Sequence, residues 1–293
     1  MLNIGIIGTG FLGKAVAIRL LNMSHKVIVY NRTKGKTESL KNLGAIVAET
    51  PKDLAQDCDL VITIVKDAEA VESVSFDRNG IIYGKHPGLT VADMSTINPI
   101  SSKKIAKKFL ENGIPVIDIP VMGGPNLAEK GELVIMVGGK KEIYDKYKNV
   151  FDHIGNKAFY LGENGSGHAM KLALNLQISL LALALSEGIT LARRAGLEPK
   201  SFLEILNSTY FKTGMSVLKG PKMINGNFDP SFTLKMMKKD LDTINNTAKE
   251  LDTSLPMATL ANEIYQNAVI AGLGELDYTG ILAFIEKISK LEK

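Results

Sequence analysis

Along the first half of the chain, short β-branched runs alternate with segments whose apolar positions recur every three to four residues. The runs at 4–8, 26–30, 60–65, 90–93, 116–118, 133–137 and 158–161 predict strands, and the segments at 12–23, 51–56, 99–112 and 141–154 predict helices between most of them. Alternation of this kind implies a mostly parallel sheet with helices on both faces. From Gly167 onward strand signals stop and helical periodicity takes over, punctuated by Glu198-Pro199, Gly220-Pro221, Asp229-Pro230 and Leu255-Pro256, each a helix start or stop signal. The change falls at Gly162-Glu163-Asn164-Gly165-Ser166-Gly167. Two domains are therefore expected: an α/β domain with a doubly wound sheet over 1–164, and an all-helical domain over 165–293. No internal repeat or low-complexity segment interrupts either.

The run Leu172 to Ala192 is apolar enough to raise a membrane reading. Asn175, Gln177, Ser179, Ser186 and Glu187 interrupt it and Lys171, Arg193 and Arg194 bracket it, so the expectation is a helix buried on most sides within a soluble protein or an oligomer. Its apolar surface exceeds what one small helical domain needs, which points to a homo-dimer or homo-tetramer. With 293 residues, 45% of them hydrophobic, the chain is long enough for two cores. The formal net charge of +4 is spread over both halves, leaving no nucleic-acid footprint. The single cysteine, Cys58, beside an apolar run, reads as a core residue, and one cysteine allows no disulfide within the chain, which fits a reducing compartment. Met1 leads straight into strand-like sequence, so the chain is expected to be cytoplasmic.

Gly8-Thr9-Gly10-Phe11-Leu12-Gly13 follows the first predicted strand and opens the first predicted helix. A dinucleotide site needs this spacing: Gly8 allows the tight turn, Gly10 lets backbone approach a pyrophosphate, and Gly13 lets helix and strand pack closely, with the anion at the helix N-terminus. Alone the motif is weak; at the head of an alternating domain with a second strand behind it, it predicts a Rossmann-type fold. The second strand ends Tyr30-Asn31-Arg32-Thr33-Lys34, where an NAD site would place an acid for the ribose hydroxyls. Asn31 and Arg32 would not repel a 2′-phosphate, Arg32 can fork onto it, and Thr33, with Lys34 or Lys36, adds donors or charge. NADP(H) is the cofactor expected. The competing reading of this stretch is a solvated basic turn.

Lys171 and Asn175 lie four residues apart, on one face of the helix that opens the second half. Hydride transfer to a carbonyl leaves an oxyanion that must gain a proton, and a lysine ammonium can stabilise that charge and then donate. By itself, a lysine at a helix start is more often a solvated surface residue.

The chain resembles the β-hydroxyacid dehydrogenase family, which includes 3-hydroxyisobutyrate dehydrogenase, tartronate semialdehyde reductase and glyoxylate/succinic semialdehyde reductase. The resemblance covers essentially the whole length. It rests on the glycine fingerprint, on Asp93-Met94-Ser95-Thr96, on Asp118-Ile119-Pro120-Val121-Met122-Gly123-Gly124, on Gly165 through Lys171 to Asn175, and on Phe228-Asp229-Pro230-Ser231-Phe232 followed by Lys239-Asp240-Leu241. The resemblance implies Lys171 as general acid and base with Asn175 as its support. It implies Val65, Lys66, Thr96 and Lys239 at the cofactor, Ser95 and the 122–124 loop at the substrate, and Phe232 with Asp240 walling the pocket. Each has a plainer reading: residues 96–99 cap a helix, Lys239-Asp240 is a solvated face, Phe232 is core.

One departure stands out. The family loop commonly carries serine where this chain has Met122, and methionine offers no donor to a substrate carboxylate. The backbone of Gly123 and Gly124, with Ser95 and Lys239, is the remaining candidate anion nest. The stretch Pro125 to Glu129 leans toward the glyoxylate and succinic semialdehyde branch. His168 either lines the mouth of the site or simply starts the helix, and the four histidines show no metal-ligand spacing, so no metal is expected. Imine reductases share this architecture but generally lack the lysine, and phosphogluconate dehydrogenases add a His-Asn pair that is absent here. A dinucleotide binder without turnover is the reading from another class.

Overall fold

Ile4 and Ile6 pack into one cluster on the first strand while Ile7, at the opposite parity, packs into another, so both sides of that strand are buried. Burial on two faces is what a parallel sheet sandwiched between helices demands. The computed structural model describes residues 2–291, and the chain divides into two compact units, 1–171 and 172–293.

Among the described residues, the first unit holds nine strands: β1 (Asn3–Ile7), β2 (Lys26–Tyr30), β3 (Ile46–Val47), β4 (Leu60–Thr63), β5 (Thr90–Asp93), β6 (Val116–Asp118), β7 (Val121–Met122), β8 (Leu133–Gly139) and β9 (Gly155–Tyr160). Their order is β3-β2-β1-β4-β5-β6-β8-β7, with β9 beside β8. The pairs from β3 through β6 are all parallel, β8 runs antiparallel to β6 and β7, and β9 is parallel to β8. From β1 the chain steps outward through β2 to β3, then crosses to β4 on the other side of β1. That reversal leaves a crevice beyond the carboxyl ends of β1 and β4, where open α/β sheets bind ligands.

Helices in this unit are α1 (Phe11–Asn22), α2 (Glu38–Lys41), α3 (Pro51–Gln56), α4 (Ala68–Phe76), α5 (Pro99–Glu111), α6 (Gly124–Lys130) and α7 (Lys141–Ile154). Cys58 is 1% exposed among Leu54, Val61 and Val91. Burial pushes its thiol up to about 12, as a core cysteine requires.

The helix α8 (Ser166–Arg194) runs across the division. It is long and apolar enough to cross a membrane by length and composition. The expectation of burial on most sides is corrected: Leu172, Ala182, Leu185 and Ile189 enter the second core, but Ala173, Gln177, Leu181, Ala184 and Leu191 form an exposed stripe. The polar interruptions explain the split, because Ser179, Ser186 and Thr190 hydrogen-bond to carbonyls one turn back in their own helix and so tolerate the buried side.

The second unit continues with α9 (Pro199–Asn207), α10 (Gly220–Ile224), α11 (Leu234–Glu250), α12 (Pro256–Ala268) and α13 (Ile281–Ile288). Pro199 and Pro256 open their helices and Pro221 sits in the first turn of α10, positions where a missing N–H costs nothing. Pro230 differs from expectation: it lies in the irregular stretch 227–230, clear of any helix end.

Candidate active site

The three glycines after β1 are glycine for three different reasons. Gly8 has φ +100°, and a Cβ there would meet the Ile64 carbonyl oxygen at 2.2 Å. Gly13 faces the Gly8 carbonyl, which a Cβ would approach to 1.9 Å, so α1 rests directly on the turn. Gly10 has ordinary extended backbone, and a Cβ there would meet nothing within 4 Å. No protein atom occupies the space beside Gly10, which leaves its backbone open to a ligand. Gly10 is also the N-cap of α1, makes no side-chain cap bond, and the first turn, which holds Phe11, Leu12 and Gly13, has no acid. The positive end of that helix is open to an anion, so the residues present fit a dinucleotide.

Asn31 braces this turn. Its Oδ1 accepts from the Thr9 N–H at 3.1 Å and its Nδ2 donates to the Thr33 carbonyl at 3.0 Å. The Thr9 hydroxyl reaches the Lys36 carbonyl, tying the glycine turn to the loop after β2 from its other end. Arg32, Thr33 and Lys36 are exposed on that loop. Lys34 is held by Glu49 at 2.7 Å, which also raises its pKa, and is the one loop cation already engaged with an acid.

At the ends of β4 and β5 a serine hydroxyl joins the turns that follow the two strands. Ser95 is buried, its N–H donates to Asp93 Oδ1, and its Oγ accepts from the Val65 N–H at 3.0 Å while lying 3.4 Å from the Thr63 carbonyl. These bonds tie Ser95 to the turn at Val65. Lys66 is exposed beside Asp67, whose carboxylate caps α4, and half-buried Thr96 precedes Asn98, whose side chain caps α5.

Lys171 sits in the second turn of α8, half-buried, and its Nζ donates to Met122 Sδ at 3.2 Å. The loop bearing Met122 turns through Gly123 (φ +133°) and Gly124 (φ +73°). The two glycines turn the chain into α6, with Gly123 as its N-cap and Pro125 in its first turn. The structure thus brings the Lys171 amine to the 122–124 loop through the Met122 sulfur.

His168, expected at a site mouth or as a plain helix start, is fully buried. Its Nε2 lies 3.3 Å from Asp93 Oδ2 and 3.7 Å from Asp118 Oδ1. Burial disfavours the imidazolium, yet the carboxylates of Asp118 and Asp93 outweigh it and raise the pKa above the usual histidine value. Asp93 is also buried, and the His168 ring together with donors from Thr63 and Ser95 holds its carboxyl below the usual range. Sequence reasoning leaves both aspartates without a role. The available signal is an acid closing each of two apolar strands, since a buried carboxylate needs a partner.

In the second unit, Asn175 Nδ2 donates to Asp240 Oδ2 at 2.6 Å, and Lys239 Nζ lies 2.5 Å from Asp240 Oδ1. Asp240 is buried, so it is neither a solvated face nor an unpaired charge. Phe232 packs edge-on to Tyr278 with ring centroids 6.0 Å apart. Among the described residues no group of His, Cys, Asp and Glu gathers that could hold a metal ion.

Two family models match the chain. One, described as the NAD binding domain of 6-phosphogluconate dehydrogenase, covers residues 3–162, and one described as NAD-binding of NADP-dependent 3-hydroxyisobutyrate dehydrogenase covers residues 165–285. Glyoxylate/succinic semialdehyde reductase 1 of Arabidopsis thaliana is 34% identical over 97% of this chain and 99% of its own length. The 2-hydroxy-3-oxopropionate reductase of Escherichia coli K12 is 31% identical over 97% of each. A solved structure described as Psf3 in complex with NADP+ and 2-OPP superposes with a TM-score of 0.87, at 26% identity, over 96% of this chain and 99% of that one.

Proposed function

The chain belongs to the β-hydroxyacid dehydrogenase family, NAD(P)-dependent oxidoreductases of hydroxy acids, and from that premise we propose that it uses NADP(H) to interconvert a small hydroxy acid and its aldehyde or keto partner, with Lys171 as proton donor and acceptor. The observation that carries this reading is the half-buried amine at the 122–124 loop, one unit with the open glycine turn. The nicotinamide supplies or takes the hydride. The chain's own part is to move the proton: the Lys171 ammonium faces the carbonyl oxygen, stabilises the charge that develops there and gives up a proton, and the neutral amine takes it back in the other direction.

Preference for NADP(H) is supported by what is missing and what is exposed at the end of β2. No acid stands at the ribose position, Asn31 is spent bracing the turn, and Arg32 and Lys36 are open to a 2′-phosphate. For the substrate, Met122 beside the amine removes the hydroxyl that family members commonly offer a carboxylate, which favours a less polar substrate, while the stretch Pro125 to Glu129 supports the glyoxylate or succinic semialdehyde type. The exposed stripe of α8, with Leu191 72% exposed, supports a homo-oligomer, and a monomeric mass in solution would dismiss it.

Lys171→Ala tests the centre of the proposal. Turnover should fall by about 10²–10⁴-fold with NADPH affinity retained, because only the proton route is deleted. Near-normal turnover in that variant, measured at the nicotinamide absorbance with glyoxylate, succinic semialdehyde, tartronate semialdehyde and 3-hydroxyisobutyrate, would remove Lys171 from the chemistry.

A further inference from the structure

Asp93 and Asp118 are directly paired across β5 and β6, adjacent parallel strands, and both side chains are buried. Two carboxylates at one register of a sheet stand only about 5 Å apart by strand spacing, and inside a protein such a pair needs a counterion or a shared proton. The hydrogen bonds decide between these. Asp118 accepts from Ser102 Oγ, Asn164 Nδ2 and the Gly165 N–H, and Asp93 Oδ1 accepts from Thr63 Oγ1 and the Ser95 N–H. Donors on this scale favour two ionised carboxylates. Asp93 Oδ2 receives none of them and faces the His168 ring.

The placement is specific. Ser95 and Thr96 follow Asp93, Met122 to Gly124 lie a few residues beyond Asp118, and His168 is in the first turn of α8, three residues before Lys171. One ring therefore meets both strand ends from which the two loops leave, at the root of the helix that carries the amine. The backbone around it has no slack: a Cβ on Gly167 would meet the Met136 carbonyl oxygen at 2.6 Å and Asp118 Cβ at 3.0 Å, and one on Gly138 would meet Asp118 Oδ2 and Ser166 Oγ at 2.7 Å.

We propose that His168, as an imidazolium shared by Asp93 and Asp118, is the positioning residue that seats the first turn of α8, and with it Lys171, against the loops after β5 and β6. This rests on Lys171 being the acid–base group. The charged groups acting on the ring are Asp118 from β6 and Asp93 from β5, and their attraction, opposed by burial, favours the charged ring.

The test begins with the wild-type chain. Nitrogen-edited NMR of the imidazoles, with His168 assigned by its loss in H168N, should find this ring still largely protonated near pH 7, where an ordinary imidazole is mostly neutral. In H168N, kcat should fall about tenfold or more while the dinucleotide Kd stays within about twofold, and the pH profile of kcat should be displaced. D93N/H168N, which removes one acid with the cation, should regain several-fold of that loss. A neutral ring near pH 7, an unchanged kcat and pH profile in H168N, or a double variant no better than the single one overturns the proposal. Should H168N fail to fold, the protonation state of the wild-type ring, assigned instead by removing the other three histidines, upholds or overturns the proposal. If Lys171→Ala keeps its turnover, the proposed function falls, and a change in the resonance of 13C-methylated Lys171 on H168N substitution then judges the positioning claim by itself.

Discussion

Two glycine-rich helix starts in this chain have nearly the same composition and opposite surroundings. At Gly8 to Gly13 the central glycine looks into empty space and the helix N-terminus has no side-chain cap. At Gly165 and Gly167 the glycines are crowded by the Pro99 and Met136 carbonyls and by the Lys103 and Asp118 side chains, and the Gly165 N–H is taken by Asp118. The first leaves room for a ligand at its central glycine, and the second is a clamp whose contacts are supplied by the protein. What a glycine would collide with separates the two better than the glycine pattern does.

Substitutions that add one methyl group break this contrast most directly. Gly167→Ala has the largest expected effect: its Cβ must displace the Met136 backbone, so stability should drop by about 2–3 kcal/mol in urea unfolding. A loss within experimental error would mean that the clamp has slack. Gly10→Ala should do the reverse, changing stability by less than about 1 kcal/mol while weakening dinucleotide binding by about tenfold or more. Titration by nicotinamide fluorescence reads it, and unaltered affinity would show that no ligand fills the space at Gly10. Arg32→Asp, next in size, should move cofactor preference toward NADH by several-fold in kcat/KM, since an acid beside a 2′-phosphate repels it. A constant ratio places the phosphate contact elsewhere.

The smallest effect lies on the clamp side. The His168 pKa is higher folded than unfolded, so its contribution to stability is complete below about pH 6.5 and drains away as pH rises through the folded value. Chemical denaturation midpoints should therefore decline across that range in the wild-type chain and decline less in H168N. Equal slopes would detach the ring from the pH dependence.

The strands at 26–30, 90–93 and 116–118 are legible from β-branched residues alone, because strands buried on both faces read as unbroken apolar runs. The two-residue β3 and β7 are too short to carry any period, and β7 is concealed inside the loop that holds Met122. Helix α4 escapes the pattern although Asp67 announces its cap, since its small residues give a weak apolar stripe. In the site, Lys171 stands out only through the family resemblance, whereas the glycine motif is visible because it has a fixed local grammar. The partnership of Asp93, Asp118 and His168 is not: these residues lie on three separate elements, and pairing across strands is a property of register rather than of spacing. Ser95 illustrates the same gap, for its hydroxyl accepts from the Val65 N–H and so joins two strand ends that spacing along the chain does not relate.

The burial of Cys58 has a practical corollary. A sole thiol that is 1% exposed and titrates at about 12 is almost entirely un-ionised at neutral pH, and alkylating reagents act on the thiolate. A cysteine introduced at Tyr210, 90% exposed, would thus accept a fluorophore or spin label selectively without first removing the native residue.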